Sequence, residues 1–362
     1  MNTEQEPLVS IVTPVHNEVE YLAECIESIL AQTYQNWDYT IIDNRSTDGS
    51  FEVACRYAAK DKRIRVHQNV ELLAAIPNHN ATLRLISPES KYCKVVFGDD
   101  WIFPNCLEQM VSLAEANPSV GIVGAYSVEG QRVAWTGLPY PSPIVSGREI
   151  CRRHLLEGLH VFGSANAVLY RAELVRSHDP FYNEANIHAD TEVCFILLKT
   201  WDFGFVHQIL TFTRVRPASL STITTDLHSY FASLLQLLVV HGPTYLTNDE
   251  HGALLARHVS EYYKFLGKCL FQVRNKQFWD YHRSGFAKAG VSFSRIRLVR
   301  GVLEAVYEAA ANPRNTVQRL LQVHKRKRST SDLGGPRRGS AATAIKQVPN
   351  QKATQAGQAS WE

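Results

Sequence analysis

Apolar and polar residues alternate along the first third of the chain in two rhythms. Short apolar runs rich in β-branched residues, beginning with LVSIVT at 8–13, predict buried strands. Between these runs apolar residues recur every three or four positions, as at 22–30, which predicts amphipathic helices. Further strands are predicted at 38–42, 63–67, 92–98 and 120–126, and further helices at 50–60, 77–87 and 104–116. This alternation predicts βαβ units and an α/β fold, with a mostly parallel central sheet flanked by helices.

The rhythm is less regular in the middle of the chain and changes again after Asp226. Helices are predicted at 146–157 and 190–200, and strands at 165–170, 204–207 and 210–215. Beyond Asp226 the spacing is almost wholly helical, and from about Lys325 the chain turns basic and polar, a composition typical of disorder. We therefore predict an α/β domain over residues 1–225, a helical region over 226–324 and a basic, disordered tail over 325–362.

The charge of the chain is unevenly distributed. The net charge is +3, but the segment from His324 to Glu362 holds eight Lys or Arg residues against two acidic ones. The rest of the chain is therefore slightly acidic, which argues against a nucleic-acid-binding core. The basic run 325–328 is either a solvated end or a contact for an anionic membrane surface.

The cysteines and apolar stretches predict a cytoplasmic protein. The seven cysteines form no C-x-x-C pair and are odd in number, so they are interpreted as reduced, small apolar residues. Residues 2–6 are polar, without the pattern of a signal segment. The longest apolar stretch, Leu234–Val240, is interrupted by Gln236 and is far shorter than the ~20 residues of a membrane span. We expect a location in the cytoplasm, with a peripheral contact at the inner face of the membrane.

Acidic and other polar side chains follow three of the predicted strands. Thr13–Glu18 follows the first strand, Asp43 the second, and Asp99 with Asp100 the fourth. Ligands of open parallel sheets bind where the strands end, so these residues predict one common site. The chain has no G-x-G-x-x-G after its first strand and no G-x-x-x-x-G-K-[ST], so neither dinucleotide nor P-loop binding is supported. The carboxylates instead predict a Mg²⁺ or Mn²⁺ site completed by a substrate diphosphate.

Three motifs in this order resemble the family 2 glycosyltransferases of bacterial type. They are TPVHNE at 13–18, IIDNRSTDGS at 41–50 and FGDDW at 97–101, and the resemblance runs from about Leu8 to Ser221. It implies the GT-A fold and a metal-dependent, inverting transfer of a sugar from a nucleotide diphosphate sugar to an acceptor hydroxyl. It also implies a role in cell-surface glycan or polysaccharide synthesis, with a glycan or lipid-linked acceptor.

The resemblance assigns roles to individual residues. Asp190, in HADTEVCF, takes the position of the catalytic base, with Ala189 in place of the usual Glu. Asp100 would bind the metal, and Arg216 stands where relatives commonly have His. The residues implied to contact the donor nucleotide or its diphosphate are Thr13, Pro14, Glu18, Asp43, Asn80, Asp99, Arg214 and Arg216. The acceptor-side candidates, from GSANAVLYR, are Ser164, Asn166 and Arg171.

Other interpretations of these residues remain open at this point. Asp43 is also a residue type that forms turns, and Asp190 could cap the helix at 191–200. Ala189 and Arg216 leave room for a catalytically idle GT-A-like domain that serves as a binding or scaffold partner. A sugar-nucleotide pyrophosphorylase would need a Gly-rich loop with a Lys after the first strand, and residues 13–20 contain neither.

Overall fold

The computed structural model describes residues 6–216, 220–271 and 274–311 of the chain. The strands are β1 (Val9–Val15), β2 (Trp37–Asp43), β3 (Ile64–Gln68), β4 (Tyr92–Val95), β5 (Trp101–Ile102), β6 (Val120–Glu129), β7 (Arg132–Ala134), β8 (Ile144–Val145), β9 (Val168–Arg171) and β10 (Asp202–Thr213). The first seven helices are α1 (Leu22–Leu30), α2 (Ser50–Ala58), α3 (Ala75–Leu83), α4 (Cys106–Ala116), α5 (Gly147–Glu157), α6 (Ala172–Arg176) and α7 (Ala189–Leu197). The later helices are α8 (Leu220–Leu227), α9 (Tyr230–Val240), α10 (Gly242–Tyr245), α11 (Asn248–Cys269), α12 (Lys276–Lys288) and α13 (Arg295–Ala311).

One mixed sheet in the order β3-β2-β1-β4-β9-β6-β10-β5 forms the centre of the α/β part. Strands β1 to β4 are paired in parallel, as are β6 and β10. Strand β9 lies between β4 and β6 and is antiparallel to both. The sequence-based expectation of a mostly parallel sheet therefore applies to the half formed by β1 to β4. In the other half only β6 and β10 are parallel, and β5, β7 and β8 are antiparallel to the strands they pair with.

The parallel register brings three of the predicted polar strand ends to one edge of the sheet. Val15 at the end of β1 is level with Asp43 at the end of β2, and Val12 is level with Val95 at the end of β4. The loops that follow β1, β2 and β4 therefore emerge at the same edge, as the sequence predicts.

The last strand of the sheet differs from its prediction. The sequence pattern predicts two strands, at 204–207 and 210–215. The structure has one strand, β10, which contains the first segment and residues 210–213 of the second. Register shifts between Val206 and Ile209 and between Ile209 and Thr211 show that β10 is irregular where the break was expected. Such bulges bend a strand without ending its pairing, which explains why the pattern breaks although the strand continues.

Apolar side chains form one core on each face of the sheet. One core includes Val12, Val95 and Tyr170 and is covered by α3, α5, α6 and α7. The other includes Val9, Ile11 and Val96 and is covered by α1, α2 and α4. Alternate residues of a strand point to opposite faces, so each strand of the centre contributes to both cores.

The helices after Asp226 pack directly against the α/β part. Leu237 and Leu238 of α9 and Leu254 of α11 belong to the same core as the sheet residue Val12. A third core, which includes Tyr262 and Phe286, lies among the C-terminal helices. The predicted domain boundary at 225/226 remains a prediction, and the predicted tail 325–362 lies outside the described residues.

All seven cysteines have free thiols, and all except Cys55 are buried. Within residues 6–216, 220–271 and 274–311, no helix has both the length and the apolar content that crossing a membrane requires.

Candidate active site

A cavity of about 950 Å³ opens at the sheet edge where β1, β2 and β4 end. This volume is at the upper end of the range of small-molecule sites. Eight of the residues predicted from the sequence line it, and they come from segments that are far apart along the chain. They are Pro14, Glu18, Asp99, Asp100, Ser164, Asp190, Arg214 and Arg216.

The carboxylates of Asp99 and Asp100 lie in the tight turn that follows β4. The turn is closed by a hydrogen bond from the Asp100 N–H to the Phe97 carbonyl (2.9 Å). Asp100 Oδ1 accepts from the backbone N–H of Arg214 (2.9 Å), and the Arg214 Nε donates to the Asp99 carbonyl (3.0 Å). The acidic turn is therefore attached to the segment after β10, more than one hundred residues further along the chain.

Glu18 is the third carboxylate of this region. The Arg216 guanidinium donates to Glu18 Oε1 (3.2 Å) and forms an ion pair with Asp99. Glu18 Oε2 is buried, and no described residue hydrogen-bonds to it. A Cβ atom at Gly98 would lie 2.1 Å from Glu18 Oε2, so only glycine lets this carboxylate approach the turn so closely.

The three carboxylates are not balanced by an equal number of positively charged side chains. Burial raises the pKa of Glu18 well above its usual range, and the neighbouring Asp99 adds to the increase against the opposing effect of Arg216. Burial and Asp99 likewise raise the pKa of Asp100. Two buried acids with raised pKa values in one cavity are typical of a site whose charge is balanced by a ligand.

Asp43 ends β2 and is fully buried. Its Oδ2 accepts hydrogen bonds from the Ser46 N–H (3.1 Å) and the Gln68 amide (2.9 Å), while Oδ1 is buried with no partner among the described residues. The interpretation of Asp43 as a turn-forming residue explains the hydrogen bonds of Oδ2, but it does not explain the buried Oδ1. Thr13 lies deeper, where its hydroxyl accepts from Tyr39 (2.9 Å) and does not line the cavity.

Asp190 also lines the cavity, from the first turn of α7. The N-cap of this helix is His188, so Asp190 lies inside the helix and its Oδ1 accepts from the Thr191 N–H (2.8 Å). Burial raises the pKa of Asp190, and the His188 imidazole opposes this increase. Ala189 belongs to the apolar core, so Asp190 is the carboxylate of α7 that lines the cavity.

His188 is held in one orientation beside Asp190. The Ser229 hydroxyl donates to the Thr224 carbonyl (3.0 Å), so the contact between His188 Nε2 and Ser229 Oγ (2.7 Å) has the imidazole as donor. In the neutral ring, Nδ1 therefore carries the lone pair that can accept a hydrogen bond. Burial lowers the pKa of His188, which keeps the ring neutral near pH 7.

Glu192, two residues further along α7, makes structural contacts. Its carboxylate accepts from the side-chain amides of Asn183 (3.0 Å) and Asn186 (2.8 Å), and it does not line the cavity. These hydrogen bonds lower its pKa against the effect of burial. Glu192 therefore anchors the loop before α7.

Three of the predicted site residues make structural contacts away from the cavity. Asn80 is buried and exchanges hydrogen bonds with the backbone of Tyr182 (2.8 and 2.9 Å). Arg171 donates to the Val120 carbonyl (2.6 Å) at the other end of the sheet. Asn166 donates to the Phe212 carbonyl (3.2 Å). Their predicted roles in donor or acceptor binding stay predictions. In the structure, each of these side chains also stabilises the fold through its hydrogen bonds to the backbone.

Trp135 is a cavity residue to which the sequence assigns no role. Its φ of +63° is an outlier for a bulky side chain, and its indole lies over Gly163, where a Cβ atom would be 3.3 Å away. The indole Nε1, Ser164 Oγ and His154 Nδ1 are buried without a hydrogen-bond partner among the described residues. All three side chains line the cavity, and burial lowers the pKa of His154 to about 3, so its imidazole is neutral. The available sequence signal is the aromatic side chain itself, which directly follows β7.

The described part of the chain contains no group of three or more His, Cys, Asp or Glu side chains that is arranged to hold a metal ion. Glu18, Asp99 and Asp100 therefore form a charge cluster without the geometry of a complete protein cage. A cation at this position would need ligands from a substrate, as Mg²⁺ and Mn²⁺ often do.

The chain is similar to known glycosyltransferases. Residues 10–177 match the family described as Glycosyl transferase family 2, and this match confirms the resemblance to family 2 glycosyltransferases. The putative glycosyltransferase EpsE of Bacillus subtilis (strain 168) is 35% identical over 155 residues, which cover 40% of this chain and 54% of EpsE. The putative teichuronic acid biosynthesis glycosyltransferase TuaG of the same strain is 29% identical over 130 residues, 36% of this chain and 50% of TuaG. The chain spans about half the length of these curated relatives.

Solved structures extend the similarity of the fold beyond the matched segment. The crystal structure of S. aureus TarS 1-349 superposes with a TM-score of 0.59 at 14% identity, over 84% of this chain and 92% of that one. The same TarS fragment in complex with UDP-GlcNAc superposes with a TM-score of 0.58. The predicted α/β fold of GT-A type, followed by a helical C-terminal region, is thereby confirmed.

Proposed function

We propose that this protein is an inverting glycosyltransferase that transfers one sugar from a nucleotide diphosphate sugar to an acceptor hydroxyl. The observation that carries this proposal is the shared cavity. The carboxylates Glu18, Asp99 and Asp100, the guanidinium groups of Arg214 and Arg216, and the carboxylate of Asp190 all line it. A single displacement needs a charged group that stabilises the leaving diphosphate and a base that takes the proton of the attacking hydroxyl.

The donor half of the cavity suits a nucleoside diphosphate. Asp43 does not itself line the cavity, but the next residue, Asn44, does, and Asp43 Oδ1, which has no partner among the described residues, would accept the ring N–H of uracil, thymine or guanine. Pro14, Asn17 and Asn44 line the adjoining part of the cavity. The likeness to a TarS fragment crystallised with UDP-GlcNAc and with UDP supports a donor of this class.

The residues at the diphosphate end fit a divalent cation. Three carboxylates would repel a diphosphate, and burial together with the charge of Asp99 already raises the pKa values of Glu18 and Asp100. Asp100, with Asp99 beside it and the unpartnered Glu18 Oε2 nearby, would hold Mn²⁺ or Mg²⁺ together with phosphate oxygens. When bound, the cation supplies Lewis-acid stabilisation of the leaving diphosphate. Arg214 and Arg216 add fixed positive charge on the same side.

Asp190 acts as the general base in this proposal. It takes the proton of the acceptor hydroxyl as the oxygen attacks the anomeric carbon from the face opposite the diphosphate. Burial raises its pKa, which increases its proton affinity while the carboxylate remains within reach of ionisation. His188, which is oriented by Ser229, lies close enough to Asp190 to oppose this increase when its imidazole is protonated.

The acceptor is proposed to bind in the half of the cavity lined by Trp135, His154 and Ser164. Three buried polar atoms without partners would each cost about 1–3 kcal/mol if they stayed unpaired, so a ligand with several hydroxyl groups is expected to satisfy them. Strained residues such as Trp135 cluster at functional sites. A sugar unit offers hydroxyl groups at its rim and C–H groups on its faces, which match the polar atoms and the aromatic walls.

Replacement of Trp135 is expected to change acceptor binding selectively. Trp135→Phe keeps an aromatic ring but removes the N–H, so the KM for the acceptor should rise roughly fivefold, the value of one hydrogen bond. The KM for the donor should stay unchanged. Trp279→Phe, which alters a tryptophan of the C-terminal helices, is the matched control. Equal acceptor KM values for both variants and the wild type would remove Trp135 from acceptor recognition.

The biological setting is also a proposal. TuaG is described as a teichuronic acid biosynthesis protein, which supports a role for this chain in cell-surface glycan or polysaccharide synthesis. The acceptor would then be a glycan or lipid-linked glycan. A catalytically idle GT-A-like scaffold is the second candidate, favoured by Ala189 and Arg216.

Donor turnover separates the two candidates. The protein is mixed with UDP-, dTDP- and GDP-sugars and Mn²⁺, and the release of nucleoside diphosphate is measured with and without EDTA. An active enzyme releases nucleoside diphosphate from one donor class, and EDTA suppresses the release. Donor binding without release, in the presence of oligosaccharide acceptors, would favour the scaffold.

A further inference from the structure

Helix α13 has an apolar stripe that faces away from the rest of the protein. Five of its large apolar side chains are 48–83% exposed, and they are Ile296, Val299, Leu303, Val306 and Tyr307. At 100° per residue these positions fall within an arc of about 100° on the helix. Single exposed apolar residues are common on protein surfaces, but a continuous stripe over three turns marks a contact surface.

The opposite face of α13 is fixed against α11. A Cβ atom at Gly301 would lie 2.3 Å from the Tyr263 carbonyl oxygen, and one at Gly267 would lie 2.4 Å from the Gly301 carbonyl carbon. The two helices therefore cross with their backbones in contact. Leu298 and Ala305 pack on this side as well. Because the crossing fixes the rotation of α13, the exposed stripe has a defined direction.

Basic residues accompany the stripe. Arg295, Arg297 and Arg300 lie in the first two turns of α13, and Arg300 pairs with Glu304 (3.1 Å). From Arg295 to Arg328 the sequence contains nine Lys or Arg residues and two acidic ones. Most of this basic excess lies in the sequence after α13, because Glu304 and Glu308 offset two of the three arginines of the helix. An apolar stripe next to a basic segment is typical of an element that lies in a membrane interface.

We infer that α13 docks this protein onto an anionic phospholipid surface, with Ile296, Leu303 and Tyr307 inserted among the acyl chains and the arginines at the phosphate level. A second copy of the chain would carry the same basic excess and would be repelled by it, whereas an anionic bilayer attracts it. This inference does not depend on the proposed catalytic activity, and it assigns the inserted side chains to the described helix α13.

Co-sedimentation of the full chain with vesicles tests the inference. We expect binding to vesicles of phosphatidylglycerol mixed with phosphatidylcholine and none to pure phosphatidylcholine. The double variant Ile296→Gln/Leu303→Gln keeps every charge, including those after residue 311, and should bind at least tenfold more weakly. The triple variant Arg295→Gln/Arg297→Gln/Arg300→Gln should lose on the order of 100-fold, about fivefold for each arginine. Val70→Gln, at another highly exposed aliphatic position, should bind as the wild type does.

Thermal unfolding and sedimentation velocity complete the test. The double variant should unfold at the wild-type temperature, because the altered side chains are exposed. Wild-type binding by the double variant would show that the basic residues act alone and would overturn the inference. A wild-type dimer that becomes a monomer in the double variant, without vesicle binding, would identify the stripe as an interface between copies. A large drop in unfolding temperature would show that the stripe is packed against this chain itself.

Discussion

Asp190→Asn should reduce sugar transfer by roughly 10²–10⁴-fold, the usual contribution of general-base catalysis, while donor affinity stays at the wild-type value. The amide has the shape of the carboxylate and its oxygen can still accept from the Thr191 N–H, so the first turn of α7 should remain intact. It cannot take the proton of the acceptor hydroxyl. Transfer rate, donor affinity and unfolding temperature, measured on one preparation, check the prediction.

Glu192→Gln is the matched control on the same helix. An amide at this position would place an N–H₂ group among the donors from Asn183 and Asn186, so this variant should unfold at a lower temperature by the equivalent of about 1–3 kcal/mol. Its transfer rate should change little. If the two variants showed the reverse pattern, with Asp190→Asn active and Glu192→Gln inactive but stable, the base would have to be Glu192.

Asp100→Asn should abolish the dependence of donor binding on Mn²⁺ without unfolding the protein. The carboxylate is the expected cation ligand, and an amide oxygen is a much weaker one for a hard cation. The Asn side chain retains an oxygen that can accept from the Arg214 N–H, so the connection between the β4 turn and the segment after β10 should persist. Isothermal titration of nucleoside diphosphates, with and without Mn²⁺, measures the effect.

The same substitution should leave the protein equally or more stable near neutral pH. The pKa of Asp100 is raised in the folded protein, so its ionised form disfavours the folded state once the pH rises above about 4, the value in an unfolded chain. Removing the charge removes this cost, and the difference from wild type should disappear at acid pH, where both states are protonated. Asp179→Asn, which alters an exposed acid, is the control. Full Mn²⁺-dependent donor binding by Asp100→Asn would exclude Asp100 as a metal ligand.

The local pattern of the sequence was sufficient for most of the α/β framework. Apolar runs of four to seven residues located β1 to β4 and β6 within a few residues, because burial on both faces leaves a strand little choice of composition. The edge at which Glu18, Asp43 and Asp100 meet followed from the parallel direction of these strands. Short-range spacing also located α1, α4 and α5, where one apolar face repeats over two or three turns.

The tertiary structure decided which of the polar residues share a cavity. Asn80, Asn166 and Arg171 resemble ligand-binding residues in their motifs, yet their side chains hydrogen-bond to backbone groups 46–102 residues away. Trp135 lines the cavity although its own segment predicts nothing more than a loop, and the stripe on α13 became visible only when the opposite face was found against α11. The physical reason is the same in each case: a local pattern reports whether a side chain will be buried, whereas its partners are set by long-range packing that only the folded chain brings together.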